Sequence, residues 1–161
     1  MISIVMLPAP EALTIAQKKV LKNVHQIFVQ TRLHPSADFL LEMSIDALSM
    51  DDLFESSEDF DALNDAIADR LCKAGDCVYI ATGNIQNSQL PAIKKAAQAH
   101  NVRVLVLPHL RAGEVAFPER EPALAVSAHD LPEQIDPEQN YVVEEIDSRI
   151  SAGEAKLFLS E

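Results

Sequence analysis

Arg32 and His34 form a candidate site for an anionic group of a substrate. The guanidinium of Arg32 is a charged fork of donors, which suits a phosphate or a carboxylate. His34 can move a proton near neutral pH, because the reference pKa of histidine is about 6.5. Both residues follow the apolar run 27–29, and open α/β sheets hold their ligands beyond the carboxyl ends of such strands. The alternative is structural: Arg32 pairs with a neighbouring acid and His34 caps a turn.

A second candidate site is the loop Thr82-Gly83-Asn84-Ile85, which follows the apolar run 78–81. Gly83 allows a tight turn with a positive φ angle, because glycine has no Cβ. Thr82 and Asn84 can hydrogen-bond a ribose or a carboxylate. The alternative is an ordinary loop that leads into a helix, with asparagine as a turn residue.

The loop at 6–11 has the position of a ligand site without the usual composition. In a parallel sheet, the N–H groups of a glycine-rich turn after the first strand can approach a cofactor. Here Pro8 and Pro10 remove donors and fix φ. These prolines and Glu11 are the first-loop candidates, and the alternative is a rigid connector. No residue of the sequence is assigned a catalytic role.

Strand-like and helical segments alternate through the first 107 residues. Short apolar runs are typical of buried parallel strands, and apolar residues at helical spacing are typical of amphipathic helices. The alternation predicts an α/β, three-layer domain with an open, mainly parallel sheet of about five strands. The predicted strands are 2–7, 27–30, 45–49, 77–81 and 102–107, and the predicted helices are 10–23, 36–43, 60–74 and 88–100. Farther on, short strands at 124–127 and 141–145 and a closing helix at 148–159 are expected.

Composition and charge narrow the class of protein. With 161 residues, 48% of them apolar, the chain is expected to form a single globular domain, 1–161. The net charge of −12 argues against nucleic acid or an anionic membrane as partner. No apolar stretch reaches membrane-helix length, and a cytoplasmic location is expected. Residues 51–69 contain eight acidic residues and no lysine or arginine. Such a run is typical of a solvated helix face or, less often, of a surface for a basic partner.

The cysteines do not indicate a metal site. Cys72 and Cys77 lack the spacing of a metal knuckle, so no metal is expected. In a reducing cytosol, both are predicted to be buried free thiols.

Four segments resemble one known family, the tetrapyrrole methylases, in the branch fused to a MazG-type nucleotide pyrophosphohydrolase. Residues 30–35, Gln-Thr-Arg-Leu-His-Pro, are similar to an Arg-Thr-x-x-His-Pro pattern of that branch. Val78-Tyr79 and Gly83 match the lead-in and the glycine of a Pro-Gly loop. Leu13-Thr14 matches a helix start, and the segment 147–157 resembles a Tyr-Ser-Arg-Leu-Val-Ala pattern that ends in Lys-Leu.

The resemblance implies the N-terminal domain of a tetrapyrrole methylase, with the second methylase domain absent. It also implies S-adenosylmethionine as cofactor, bound near Thr82, Gly83, Asn84 and Ile85, and a substrate near Arg32 and His34. The glycine motifs are degenerate. The family has Gly-x-Gly-Pro-Gly-Asp where this chain has Met-Leu-Pro-Ala-Pro-Glu at 6–11. A methyltransferase-like domain with an incomplete active site is therefore expected.

The alternative is a non-catalytic module. It would bind a ligand, regulate a MazG-type pyrophosphohydrolase, or dimerise. Leu157, Phe158 and Leu159 are expected to be exposed and would suit a homodimer interface.

Overall fold

The computed structural model describes residues 1–83, 85–110, 123–128, 130–132, 136, 139–144, 146 and 149–159. The chain divides into two compact units, residues 1–110 and residues 111–161.

The first unit contains a five-stranded sheet in which all pairings are parallel. The strand order is β3-β2-β4-β1-β5, so β4 lies between β2 and β1. Ile4 of β1 is aligned with Tyr79 of β4, and Tyr79 is aligned with Phe28 of β2. This sheet confirms the predicted α/β class and the number of strands. The strands are β1 (Ile2–Met6), β2 (Ile27–Val29), β3 (Leu48–Ser49), β4 (Cys77–Ala81) and β5 (Val104–Val106).

Five α-helices accompany this sheet, and one of them begins later than the sequence predicted. The single helix expected at 10–23 is a short 3-10 turn, Pro10–Ala12, followed by an α-helix that starts at Ile15. Thr14 separates them, because it forms a reciprocal capping box with Gln17. The helices are α1 (Ile15–Asn23), α2 (Pro35–Glu42), α3 (Asp51–Ser56), α4 (Phe60–Ala74) and α5 (Gln89–Ala99).

The largest apolar cluster lies between the sheet and helices α4 and α5. Tyr79, at the centre of the sheet, is fully buried in this cluster, and its hydroxyl donates a 2.7 Å hydrogen bond to Oε1 of Gln89. Burial raises the pKa of Tyr79, so the hydroxyl keeps its proton. Leu21 of α1 and Leu40 of α2 are buried outside this cluster, and right-handed crossovers place these two helices on the opposite face.

Helix α4 shows the limit of reading a helix face from spacing. Leu63, Ile67 and Leu71 are buried as their spacing predicts, but Phe60 is 80% exposed. The reason is that Phe60 is the first residue of α4 and precedes the turns that pack on the sheet. The predicted stop is confirmed, because Gly75 has a φ angle of +79°, in the left-handed region that favours glycine.

Both cysteines are free thiols, but only one is fully buried. Cys77 lies inside the sheet, where burial raises the pKa of its thiol to about 11. Cys72 is half-buried on α4, so the prediction that both would be buried was wrong for this residue.

The second unit contains two strands and a helix among its described residues. Strands β6 (Ala123–Ser127) and β7 (Asn140–Glu144) pair in parallel, and α6 (Arg149–Phe158) follows. The ring of Phe158 meets the ring of Tyr141 edge-on, with centroids 5.3 Å apart. Phe158 is therefore buried, contrary to expectation, whereas Leu157 and Leu159 are exposed. Among the described residues of the whole chain, no helix has both the length and the apolarity to cross a membrane.

Candidate functional site

The loops that carry the predicted site residues meet at one edge of the sheet. They follow β1, β2 and β4, which are neighbours in the order β2-β4-β1 and run in the same direction. Their carboxyl ends therefore lie side by side. We call residues 7–11, 30–34 and 82–83 the carboxyl rim.

A hydrogen-bonded link joins the loop after β2 to the loop after β4. Oε1 of Gln30 accepts hydrogen bonds from the backbone N–H of Thr82, at 2.9 Å, and from its hydroxyl, at 3.2 Å. The two donors of Thr82 are thus used within the protein, while the lone pairs of its hydroxyl oxygen can still accept a bond. Sequence reasoning did not assign Gln30 a role, although its position directly after a buried strand was a usable signal.

In the rest of the loop after β4, Gly83 is exposed and Ile85 is buried. Gly83 is exposed, and a Cβ at this position would meet nothing within 4 Å. Its φ angle lies outside the left-handed region, so the turn itself does not require glycine. Ile85 is buried in the core, and its carbonyl accepts a 2.9 Å bond from the N–H of Leu90. Its side chain is therefore part of the packing, and Asn84 lies outside the described residues.

The loop after β1 is held by both helices that follow it. The side-chain amide of Gln17 donates to the carbonyl of Met6 at 3.3 Å, and the hydroxyl of Ser36 donates to the carbonyl of Leu7 at 2.9 Å. The N–H of Leu7 donates to the carbonyl of Ala81 in β4. These bonds fix the start of the loop from three sides.

The predicted first-loop residues continue from this fixed point. Pro8 is half-buried, and Pro10 opens the 3-10 turn. Neither proline has an N–H to offer a ligand. Glu11 is exposed and brings the only charge of the loop.

Arg32 is tied to the residues on either side of β3. Its backbone N–H donates to Oδ2 of Asp51 at 3.0 Å, and its guanidinium donates to the carbonyl of Ala47 at 3.2 Å. Burial alone would raise the pKa of Asp51. The pKa is nevertheless lowered, because Asp51 accepts hydrogen bonds from Ser49, Thr31 and the Arg32 N–H and lies near the positive charge of Arg32. Asp51 is thus a carboxylate that anchors the loop. The guanidinium has five N–H donors, so those not used on Ala47 can contact an anion.

His34 caps the helix that follows it. Its Nδ1 accepts a 3.2 Å hydrogen bond from the N–H of Ser36, in the first turn of α2. Because Nδ1 is the acceptor, the proton of the neutral ring lies on Nε2. Burial lowers the pKa of His34, which also favours the neutral ring near pH 7. His34 therefore offers the rim an N–H donor, and its geometry agrees with the structural alternative.

A groove of about 470 Å³ lies beside the first loop, between the 3-10 turn and helix α2. Its α2 wall consists of residues at positions i, i+3, i+4 and i+7, which share one face of a helix. Sequence reasoning missed this feature, although the spacing of the polar residues in α2 was a signal for it. The lining residues are Pro10, Glu11, Pro35, Asp38, Phe39 and Glu42.

The comparisons with known proteins agree with this architecture. The fold is similar to that of a uroporphyrin-III C-methyltransferase from Thermus thermophilus, with a TM-score of 0.58 and 15% sequence identity. The match covers 88% of this chain and 66% of that protein, so the chain spans less than two thirds of its length. The chain has a tetrapyrrole methylase-like fold. No family model and no curated protein sequence matches this chain.

Within the described residues, no group of three or more His, Cys, Asp or Glu side chains is arranged to hold a metal ion. What the rim offers a ligand is open space at Gly83, the free donors of Arg32 and the Nε2 proton of His34. Such a set can hold and orient a small molecule.

Proposed function

We propose that this chain is a methyltransferase-like domain that binds S-adenosylmethionine at the carboxyl rim, with an active site that is incomplete. The observation that carries the proposal is the meeting of three loops at one sheet edge, in a fold similar to that of a uroporphyrin-III C-methyltransferase. The open surface at Gly83 gives the cofactor a place to lie against the backbone.

Residues of the loops that follow β2 and β4 have proposed roles in this complex. Thr82, Gly83, Asn84 and Ile85 form the cofactor side, where the Thr82 hydroxyl oxygen accepts a bond and Ile85 contributes only as packing. Arg32 and His34 form the substrate side, as donors to an anionic or carbonyl oxygen. Methyl transfer by in-line displacement depends on positioning more than on acid–base help. A neutral His34 that donates from Nε2 fits this requirement.

The same region supports the second half of the proposal, that the site is incomplete. Pro8 and Pro10 remove two N–H groups from the first loop, where a glycine-rich turn would provide them. The two donors of Thr82 are already used on Gln30. We therefore expect cofactor binding without efficient methyl transfer by this chain alone.

The alternative function is a non-catalytic module that binds a different ligand, regulates a MazG-type nucleotide pyrophosphohydrolase or mediates dimerisation. The use of both Thr82 donors within the protein favours it, because these two groups are satisfied without a cofactor. The two functions differ in one measurable property, the affinity for S-adenosylmethionine.

The test is calorimetric titration of the full chain with S-adenosylmethionine and S-adenosylhomocysteine. The proposal expects micromolar binding, which corresponds to about −8 kcal/mol. Gly83→Phe should abolish this binding, because the new side chain would occupy the open surface, and a Cβ at this position meets nothing within 4 Å. Gly153→Phe is the matched control, since a Cβ at Gly153 also meets nothing within 4 Å and this glycine lies in the other unit.

The outcomes separate the two functions. Loss of binding in Gly83→Phe, with binding kept in Gly153→Phe, supports the rim as the cofactor site. Equal binding in both variants contradicts that location. A wild-type chain that gives neither heat nor thermal stabilisation with either compound supports the non-catalytic module.

A further inference from the structure

The groove beside the first loop combines an apolar lining with negative charge. Pro10, Pro35 and Phe39 provide the apolar surface, and Glu11, Asp38 and Glu42 provide three carboxylates. No lysine or arginine lines the groove. Its volume, about 470 Å³, lies within the range of small-molecule sites.

The three carboxylates have no cation among the described residues. None of them takes part in a salt bridge there, and all three are exposed. The basic groups nearest in sequence to Asp38 and Glu42 do not compensate these two carboxylates. The guanidinium of Arg32 is directed to the carbonyl of Ala47, and His34 uses its Nδ1 to cap α2.

The spacing of Asp38 and Glu42, and the position of Glu42, are unfavourable for helix α2 by itself. Asp38 and Glu42 are like charges at positions i and i+4, which repel each other across one turn. Glu42 is also the last residue of α2, where the partial negative charge of the helix end disfavours an acid. A positively charged ligand would relieve both effects.

The spread of the carboxylates indicates the kind of cation. Glu11, Asp38 and Glu42 do not converge closely enough to hold a metal ion. Positions i and i+4 of a helix have Cβ atoms about 5–6 Å apart, which is close to the separation of two amines joined by three or four methylenes. The methylenes of such a ligand would lie on Phe39 and the prolines. The ring of Phe39 would also attract an ammonium group.

We propose that this groove binds a linear aliphatic polyamine, with its ammonium groups on Asp38, Glu42 and Glu11 and its methylenes on Phe39. The inference does not depend on methyl transfer or on cofactor binding. It concerns the outer side of the first loop and the exposed face of α2.

The test is an NMR titration of the full chain with spermidine at low salt, about 10 mM, where screening of charges is weak. Binding should shift the backbone signals of α2 and of residues 11–12 more than those of α4. The double variant Asp38→Asn/Glu42→Gln should lower the affinity about tenfold.

The matched control is Asp61→Asn/Asp65→Asn on helix α4. Asp61 and Asp65 are also exposed acids at i and i+4, and Asp61, like Asp38, lies in the first turn of its helix. This control changes the net charge by the same amount and should lower the spermidine affinity less than about twofold. Equal losses in the two variants, or shifts spread over the whole acidic surface, would mean non-specific attraction and would overturn the proposal.

A calorimetric titration with S-adenosylmethionine keeps this result separate from the proposed function. The Asp38→Asn/Glu42→Gln variant should bind S-adenosylmethionine as the unmodified chain does. If S-adenosylmethionine fails to bind any variant while the spermidine results hold, the cofactor proposal fails and the groove proposal stands. If spermidine binding is unaffected by Asp38→Asn/Glu42→Gln, the groove proposal fails, whatever the result with S-adenosylmethionine.

Discussion

Residues of the carboxyl rim have structural partners as well as proposed ligands. His34 caps α2, Arg32 bonds the carbonyl of Ala47, and Thr82 bonds Gln30. Sequence reasoning left the structural and functional alternatives open for His34, because residue type and spacing do not say where an imidazole nitrogen points. Its Nδ1 meets the N–H of Ser36 only because the chain turns into a helix at Pro35.

The cap predicts how stability depends on pH. Burial lowers the pKa of His34 below its ordinary value of 6.5, so the unfolded chain binds a proton more readily than the folded protein does. The stability contributed by the neutral ring is complete above pH 6.5 and is lost as the pH falls through the folded-state pKa. His34→Asn keeps an accepting cap and removes the titration. Urea denaturation from about pH 7 to about pH 5 should show a smaller loss of stability for this variant than for wild type.

A second substitution separates the cap from the charge. His34→Ala removes the cap at every pH, and we expect a loss of about 0.5–2 kcal/mol in the free energy of unfolding. Parallel pH profiles of wild type and His34→Asn would contradict the role assigned to the ring.

At the scale of elements, hydrophobic spacing predicted the strands and every helix of the first unit except α3, and packing decided which of their residues are buried. The spacing of α4 placed Phe60, Leu63, Ile67 and Leu71 on one face, and three of these four are buried. Capping decided where helix α1 begins. The box formed by Thr14 and Gln17 starts α1 there, although the apolar pattern continues to either side.

Two truncations in α4 test this difference. Ile67 is fully buried, and Ile67→Ala should destabilise the protein by about 2–5 kcal/mol through lost burial and a cavity. Phe60 is 80% exposed, so Phe60→Ala should change the free energy of unfolding by less than about 0.5 kcal/mol. Urea denaturation of both variants gives the comparison. A large loss for Phe60→Ala would mean that this ring has a packing partner in solution.

At the scale of the whole molecule, the sheet is completed within residues 1–110. All five of its strands belong to that unit, and β6 and β7 pair only with each other among the described residues. The prediction of a single domain at 1–161 remains a prediction, which the behaviour of a fragment can test.

We expect residues 1–110 to fold without residues 111–161. The reason is that every described residue of the apolar cluster beneath α4 and α5 belongs to the first unit. Circular dichroism should give a cooperative thermal transition for the fragment. An unfolded fragment would mean that both units belong to one cooperative domain, as the sequence predicted.

What the sequence determined by itself is local. Apolar runs and helical spacing depend on neighbours along the chain, so they indicated the five parallel strands, four of the five helices that accompany them and the three loops of the rim. Resemblance in four short segments also pointed to the fold that the structure shares with a uroporphyrin-III C-methyltransferase.

Only the tertiary structure decided which side chains meet. Gln30 and Thr82 lie 52 residues apart in sequence, and they bond because β2 and β4 are neighbours in the sheet. Ser36 reaches the carbonyl of Leu7, and the groove of Glu11 and Asp38 forms, because α2 packs beside the turn that follows β1. Such contacts depend on strand order and helix packing, which no local pattern contains.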